Sequence, residues 1–321
     1  SIRRQRQMCI RDSRYTREEE KLVSYKEKGG FYRHIYSLPC RWRRAKYHDK
    51  VVRVYQQGFD APALLNNSEV IVSLTTFPPR ISQLHLVLKS ILWQTYVPAD
   101  IIVWLSEQEF PGRLNDLPEE LRKLTANGVK FKFVPENFRS HKKYYYVFRE
   151  YPDHKVITVD DDLIYPRNTI ERLLSLSYQY PDTVCGNVIR KIRMDGNTFS
   201  VYRKWPKVFM MPVNSSLQNV AIGCGGIYYP SRWYGEELFD WKIISEHCPF
   251  ADDLWLKANE LKRRINVTGG GEFYPRPIEL PQTQNNSLQK KNNGKINLND
   301  KQWKSLNELW KLDELYCING K

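Results

Sequence analysis

From Glu69 onward, short apolar runs alternate with segments of helical period, and no other feature of the chain constrains its fold as much. Val70-Ile71-Val72-Ser73-Leu74 reads as a buried first strand, Ile81 to Gln94 as an amphipathic helix, and Asp100-Ile101-Ile102-Val103-Trp104-Leu105 as a second strand. A short helix near Glu119 to Ala126 leads to a third strand, Val129 to Val134. A helix near Lys142 to Glu150 precedes a fourth, Val156-Ile157-Thr158-Val159. Strand-helix repetition at this spacing predicts an α/β fold, a mainly parallel sheet flanked by helices, in which ligands bind beyond the carboxyl ends of the strands.

The fourth strand runs into three consecutive carboxylates, Asp160-Asp161-Asp162, and Leu163-Ile164-Tyr165-Pro166 then reads as the start of a helix. Side chains alternate along an extended backbone, so Asp160 and Asp162 are expected on one face and Asp161 on the other. Like charges about 4 Å apart repel by about 4 kcal/mol at a protein-surface dielectric, so two carboxylates aimed at one spot call for a cation between them. Oxygen-rich sites of this kind hold Mg²⁺ or Mn²⁺ through one or two carboxylates and let a substrate phosphate complete the shell. The alternative is a solvated acidic turn at a helix start.

Other segments offer chemistry to the same crevice. Thr75-Thr76-Phe77-Pro78-Pro79-Arg80 follows the first strand with hydroxyls and a guanidinium. Gly223-Cys224-Gly225-Gly226 holds three glycines in four positions, which lets backbone approach a ligand closely; a bulged strand is the plainer reading. Asp252-Asp253 opens a helix that runs through Lys262, so one carboxylate is expected to cap it while the other faces the cleft. The six histidines show no metal-ligand spacing, and the six cysteines form no CxxC pair. This argues against a zinc site or a disulfide framework and favours a reducing compartment.

The run from Val70 to Ile81, the Ser90-Ile91-Leu92-Trp93-Gln94-Thr95 ending of the first helix and the strand-end Asp-x-Asp resemble nucleotide-sugar-dependent glycosyltransferases of the GT-A fold. The resemblance is closest to bacterial enzymes that build surface polysaccharides, and it spans roughly residues 69 to 280. It implies a Rossmann-like GT-A sheet and metal-dependent transfer of a sugar from a nucleotide-diphosphate sugar, a UDP-sugar first among them, to a glycan or lipid-linked acceptor. On this resemblance Asp162 binds Mn²⁺ or Mg²⁺ directly, and Asp160 reaches the ribose or a metal-bound water. Thr75, Thr76, Arg80, Lys143, Asp160, Asp161, Gly225 and Gly226 are then assigned to the nucleotide sugar. Lys143 matches a donor-site lysine that precedes the Asp-bearing strand, with Lys142 as its alternative. In inverting members an Asp or Glu at the place of the second acidic pair takes the acceptor proton. That makes Asp253 the base and Asp252 the cap, or the reverse.

The 321 residues suit one large catalytic domain or two small ones. A net charge of +14 predicts attraction to polyanions, whether nucleic acid, anionic lipid or phosphorylated substrate. Residues 1–65 read as a basic, helical N-terminal appendage, with Arg3-Arg4-Gln5-Arg6 and Arg41-Trp42-Arg43-Arg44 suited to a membrane surface or to a solvated face packed on the main domain. Residues 66–280 read as the catalytic domain, and 281–321 as a polar Gln/Asn/Lys segment, a lid over the donor or a plain linker, ending in a helix from Asp300 to Leu315. No apolar run approaches the ~20 residues that span a bilayer, and no signal peptide is visible. The expected location is therefore cytoplasmic, with peripheral contact at the inner face of the membrane and no nucleic-acid partner. A first residue Ser1 in place of Met leaves a longer parent chain open. Two other classes compete. A sugar nucleotidyltransferase normally carries a glycine- and lysine-rich phosphate loop after the first strand, where this chain has Thr-Thr-Phe-Pro-Pro-Arg; a non-enzymatic polyanion-binding protein explains the charge but not the carboxylates.

Overall fold

The computed structural model describes residues 37–56, 64, 68–208, 213–230, 234–269, 277–280 and 297–317. The expectations for residues 1–36 and for the polar segment 281–296 lie outside them. The described chain opens with helix α1 (Ser37–Gln56). Strand-helix alternation follows: β1 (Val70–Thr75), α2 (Leu84–Leu92), β2 (Asp100–Ser106), α3 (Glu119–Lys123), β3 (Val129–Val134), α4 (Lys142–Glu150) and β4 (Lys155–Thr158). These bounds lie within a few residues of those expected, because each strand is an unbroken apolar run.

An eight-stranded sheet organises the molecule. Its order is β11-β14-β6-β13-β4-β1-β2-β3, with β6 (Val184–Gly186), β11 (Val213–Ser216), β13 (Ile227–Tyr229) and β14 (Val267–Gly269) added beyond β4. The pairs β1–β2, β2–β3, β1–β4 and β6–β14 are parallel; β13 lies antiparallel between β4 and β6, and β11 is antiparallel to β14. This is the mainly parallel, helix-flanked α/β architecture expected. Alternation along β1 sorts its residues between two cores: Ile71 joins one, while Val70, Val72 and Leu74 join the other. The first core lies under α4 and α7 (Asp252–Arg263) and contains Tyr144, Phe148, Leu254 and Trp255; the second lies under α2 and α5 (Thr169–Gln179) and contains Leu84, Leu88, Ile170 and Leu173.

Both ends of the described chain are tied to this body. Val51 and Tyr55 of α1 are buried, and Tyr55 meets Trp93 edge-on at 5.9 Å. Trp303 and Leu306 of α8 (Leu298–Trp310) and Leu312 of α9 (Leu312–Cys317) belong to the first core. The single C-terminal helix expected is thus two, parted at Lys311, whose φ of 52° lies in the left-handed region.

One local expectation fails. Leu163-Ile164 does not start a helix but forms a two-residue strand, β5, antiparallel to β15 (Ile278–Glu279), and the helix begins only at Thr169. The partner strand is far downstream, so local sequence carries no sign of the pairing.

Candidate active site

Strands β1, β2 and β3 are laid down in one direction and β4 returns to the other side of β1, so chain order reverses between β1 and β4. A crevice opens beyond the carboxyl ends of the strands at such a point. The Thr75–Arg80 segment leaves β1 there, and the Asp triplet leaves β4.

The triplet does not continue the strand. It turns after Val159, and its three carboxylates take different partners. Asp160 accepts from Lys143 Nζ at 2.9 Å on the α4 side of the sheet. Asp161 crosses to the α2 side, where Thr76 Oγ1 donates to it at 2.6 Å and Arg80 also donates to it. Asp162 pairs with the other guanidinium nitrogen of Arg80 at 3.0 Å. Alternation does not set the partners: Arg80 holds both Asp161 and Asp162, while Asp160, paired with Lys143, stays close enough to raise the Asp162 pKa. The backbone is pinned where it turns, as Asp160 N–H donates to Tyr165 Oη at 2.7 Å and Leu280 N–H to Asp162 O at 3.0 Å.

Exposure separates the three. Asp161 is only 5% exposed, whereas the side chains of Asp160 and Asp162 are 30% and 14% exposed. Burial raises the Asp162 pKa to about 7 despite Arg80, helped by Asp160, Asp161 and Glu279. Burial also raises Asp161, against the pull of Arg80 and Thr76. Arg80 itself is raised because Asp161 and Asp162 outweigh its burial.

A second network faces Asp160. Lys143 on the first turn of α4 pairs with Asp160 and, at 2.7 Å, with Asp252. Burial opposes its charge, but Asp160, Asp252 and Asp253 together hold its pKa well above the ordinary value. Burial likewise opposes ionisation of Asp252, yet Lys143, His141 and Ser140 keep its pKa below normal. Asp253 behaves oppositely: burial, then Asp252 and Asp160, raise it to about 8. Its Oδ2 accepts from Gly223 N–H at 3.1 Å, and its Oδ1, shut off from solvent, has no hydrogen-bond partner. Neither carboxylate caps α7, which is the cap expectation corrected: Ala251 is the N-cap and no side chain caps the helix. Both acids are held by groups across the cleft instead.

The remaining predicted residues divide. Thr75 donates its hydroxyl to Trp104 O at 2.8 Å, so it ties β1 to β2. Lys142 turns away from the triplet to Glu109 and Asn137, both at 3.1 Å, which leaves Lys143 as the lysine of this site. His141, among the histidines set aside, is wholly buried between Tyr144 Oη and Cys248 O, both at 2.9 Å. In the glycine run, a Cβ at Gly225 would lie 2.7 Å from Val188 N, so that glycine permits close packing of two backbones. Gly226 has a φ of 78°, which favours glycine.

Two participants, Ser73 and Glu279, escaped the sequence reading, and a third, Gly223, was read only as part of the glycine run. A Cβ at Gly223 would fall 3.0 Å from both Asp160 Oδ1 and Lys143 Nζ, so this is the glycine that borders the network. Ser73, a polar residue inside an apolar strand, donates to Lys143 O at 2.5 Å and accepts from Trp104 Nε1 at 3.0 Å. Its polarity was the available signal. Glu279 acts on Asp162 from β15, which no local pattern announces.

Among the described residues no group of three or more His, Cys, Asp or Glu side chains is arranged to hold a metal ion by itself. The donor set nonetheless fits a hard cation that takes part of its shell from water and substrate. Asp160, Asp161 and Glu279 all act on Asp162, whose pKa is raised to about 7 although Arg80 stands beside it.

No family model matches the chain, and no curated protein matches it in sequence. Among solved structures it is similar to a CMP:2-keto-3-deoxy-manno-octonic acid synthetase complexed with CTP, at 12% identity and a TM-score of 0.38 over 72% of this chain and 98% of that one. It is similar to S. aureus TarS 1-349 in complex with UDP, at 16% identity and a TM-score of 0.41 over 64% of this chain and 59% of that one. A further likeness is to the mannosyltransferase PcManGT from Pyrobaculum calidifontis in complex with GDP-Man and Mn²⁺, at 12% identity and a TM-score of 0.39 over 70% and 61%.

Proposed function

We propose that this chain is a metal-dependent, inverting glycosyltransferase that moves a sugar from a nucleotide-diphosphate sugar, a UDP-sugar first among them, to a glycan or lipid-linked acceptor in cell-surface polysaccharide synthesis. The observation that carries the reading is the crowding of carboxylates at the topological switch point, where Asp160, Asp161 and Asp162 leave β4 and meet Lys143 and Arg80. A divalent cation between them lets an anionic cleft accept an anionic donor. Asp160 and Asp162 would hold Mn²⁺ or Mg²⁺ and leave room for water and diphosphate oxygens. When bound, the metal neutralises the charge that grows on the leaving diphosphate.

The chain's own groups do the rest. The acceptor hydroxyl attacks the anomeric carbon, the C–O bond to the diphosphate breaks, and the hydroxyl proton passes to Asp253. A base works best when its pKa lies near the operating pH, and Asp253 at about 8 suits the role better than Asp252, which Lys143 holds ionised and weakly basic. Arg80 and Lys143 bring positive charge to the diphosphate side, and Gly223 lets backbone approach the sugar. The basic N-terminal region would bring the enzyme to an anionic membrane; Lys46, Lys50 and Arg53 of α1 are exposed, and each basic residue near such a surface contributes about 1 kcal/mol. No helix among the described residues is long and apolar enough to cross a bilayer.

Release of nucleoside diphosphate from a panel of sugar nucleotides, with Mn²⁺ and with excess chelator, tests the activity and names the donor. Pyrophosphate release from a nucleoside triphosphate and a sugar phosphate, without diphosphate release from any sugar nucleotide, would instead make the chain a nucleotidyltransferase. Liposome binding that rises with anionic lipid and falls steeply with salt tests the membrane contact; equal binding to neutral vesicles contradicts it.

A further inference from the structure

The acidic pair is bordered by a second feature that the donor chemistry does not use. The loop before α4 and the loop before α7 are fastened side by side: His141 Nε2 lies 2.9 Å from Cys248 O. Next to this seam, the guanidinium of Arg139 lies over the ring of Phe250, 4.3 Å from its centroid. Arg139 is exposed, and Phe250 is half-buried two residues before Asp252.

The local backbone holds this stack in place. Five described non-glycine residues have positive φ: Arg113, Arg139, Asp182, Arg264 and Lys311. Of these, Arg139, with φ 52°, lies in the loop that His141 fastens to Cys248 O. Its N–H donates to Asn137 Oδ1 at 3.1 Å, and Asn137 Oδ1 also accepts from buried Lys142. On the other side, Phe250 N–H donates to Gln302 Oε1 of α8 at 2.7 Å. A guanidinium stacked on an aromatic face keeps its in-plane N–H donors turned outward in a fork that matches an oxyanion.

We infer that Arg139 and Phe250 form an acceptor subsite for a sugar that carries an oxyanion group, phosphate or carboxylate, placed beside Asp252 and Asp253. The inference rests on the glycosyltransferase reading of those two acids, and it assigns the acceptor class that reading leaves open. Arg139 would recognise the oxyanion, Phe250 would hold the guanidinium in place, and neither would touch the nucleotide.

The test is ligand-observed NMR binding of glucose 1-phosphate, glucuronate and glucose to the full chain saturated with UDP and Mn²⁺. Glucose 1-phosphate or glucuronate is expected to bind at least about tenfold more tightly than glucose, and the stronger of the two arms identifies the oxyanion. Arg139→Gln should abolish that preference, Arg139→Lys should restore part of it, and Phe250→Leu, which removes the ring under the guanidinium, should weaken the two oxyanion-bearing sugars and leave glucose unchanged. Each variant is checked for unchanged melting temperature and unchanged Mn²⁺-dependent UDP binding. An oxyanion preference that survives in folded Arg139→Gln overturns the inference, and so does displacement of the anionic sugar by UDP, which would place it in the donor site. Failure of UDP and Mn²⁺ to bind the wild-type chain, or their undiminished binding to Asp162→Ala, would overturn the donor reading instead.

Discussion

Asp160 and Asp161 are neighbours in sequence, yet they end on opposite sides of the sheet in opposite conditions. On the α2 side, Asp161 is nearly sealed, with Thr76 and Arg80 on its oxygens, and the same guanidinium reaches Asp162. On the α4 side, Asp160 is partly exposed and shares Lys143 with Asp252, while Asp253 keeps a buried oxygen without a partner. The first arrangement is an anchor that fixes the turn, two carboxylates paired with one guanidinium. The second is an unsaturated network whose two central acids are driven apart, Asp252 below its ordinary pKa and Asp253 up to about 8. Pairs of acids separated in this way mark the acid-base side of a site, and the sealed pair marks its frame.

The comparison breaks most visibly at Asp162, the acid that both halves act on. Asp162→Ala should abolish metal-dependent diphosphate release, a loss greater than the ~10–100-fold typical of losing only an outer-sphere partner of a metal ligand. Arg80 keeps Asp161, and a repulsive charge is gone, so the melting temperature in chelator should hold or rise. A chelator-insensitive rate in this variant would remove Asp162 from the metal site.

Next in size is Asp253→Asn, expected to lower kcat by about 10²–10⁴-fold with little change in donor KM. Because the folded pKa is about 8, wild-type kcat/KM should climb with pH toward a plateau near that value, and the limb should vanish in the variant. Stability carries the opposite sign. A carboxyl raised on folding contributes its stability fully at low pH, below about 4, and loses it as pH rises through about 8, so Asp253→Asn should gain relative to wild type across that window in metal-free thermal melts. If Asp252→Asn shows the large loss in kcat and Asp253→Asn does not, the two roles are exchanged.

Stability separates the halves directly. Arg80→Met leaves Asp161 and Asp162 uncompensated in a buried place and should cost about 3–5 kcal/mol, read as a shift of the urea midpoint. Asp160→Asn should stay within about 1 kcal/mol of wild type, because its side chain is 30% exposed and Lys143 retains Asp252. Similar losses in both would erase the distinction between frame and network. Smallest is Thr75→Val, which removes one hydrogen bond to Trp104 O and should cost about 1 kcal/mol without altering donor KM. A large KM effect would return Thr75 to the donor site.

The half of the sheet from β1 to β4 was readable in the sequence because each strand is an apolar run long enough to show itself. The half made of β6, β11, β13 and β14 was not, since strands of three or four residues between loops carry too little pattern, and β13 enters antiparallel between neighbours from elsewhere in the chain. The same limit explains Leu163-Ile164, whose strand exists only because Ile278-Glu279 pairs with it. In the site, residue types were informative and directions were not. Three aspartates in a row mark a charged turn, but their partners were not readable, since Arg80 takes both Asp161 and Asp162 while Lys143 takes Asp160. Asp252 and Asp253 looked like helix caps because they start α7, and only the packing of Lys143 and Gly223 shows what holds them. Arg139 over Phe250 joins residues 111 positions apart, 250 − 139, which a single sequence cannot pair.

The central claim is that the carboxylates at the switch point work through a divalent cation on a nucleotide sugar. Its most direct measurement is nucleoside diphosphate release by the full chain from a panel of sugar nucleotides, at fixed acceptor, with Mn²⁺ titrated in after complete chelation. Release from at least one donor that is absent in chelator, returns with Mn²⁺ and fails to return in Asp162→Ala is the predicted result. Release that proceeds at the same rate in excess chelator, or returns with Mn²⁺ in Asp162→Ala as it does in wild type, would contradict it.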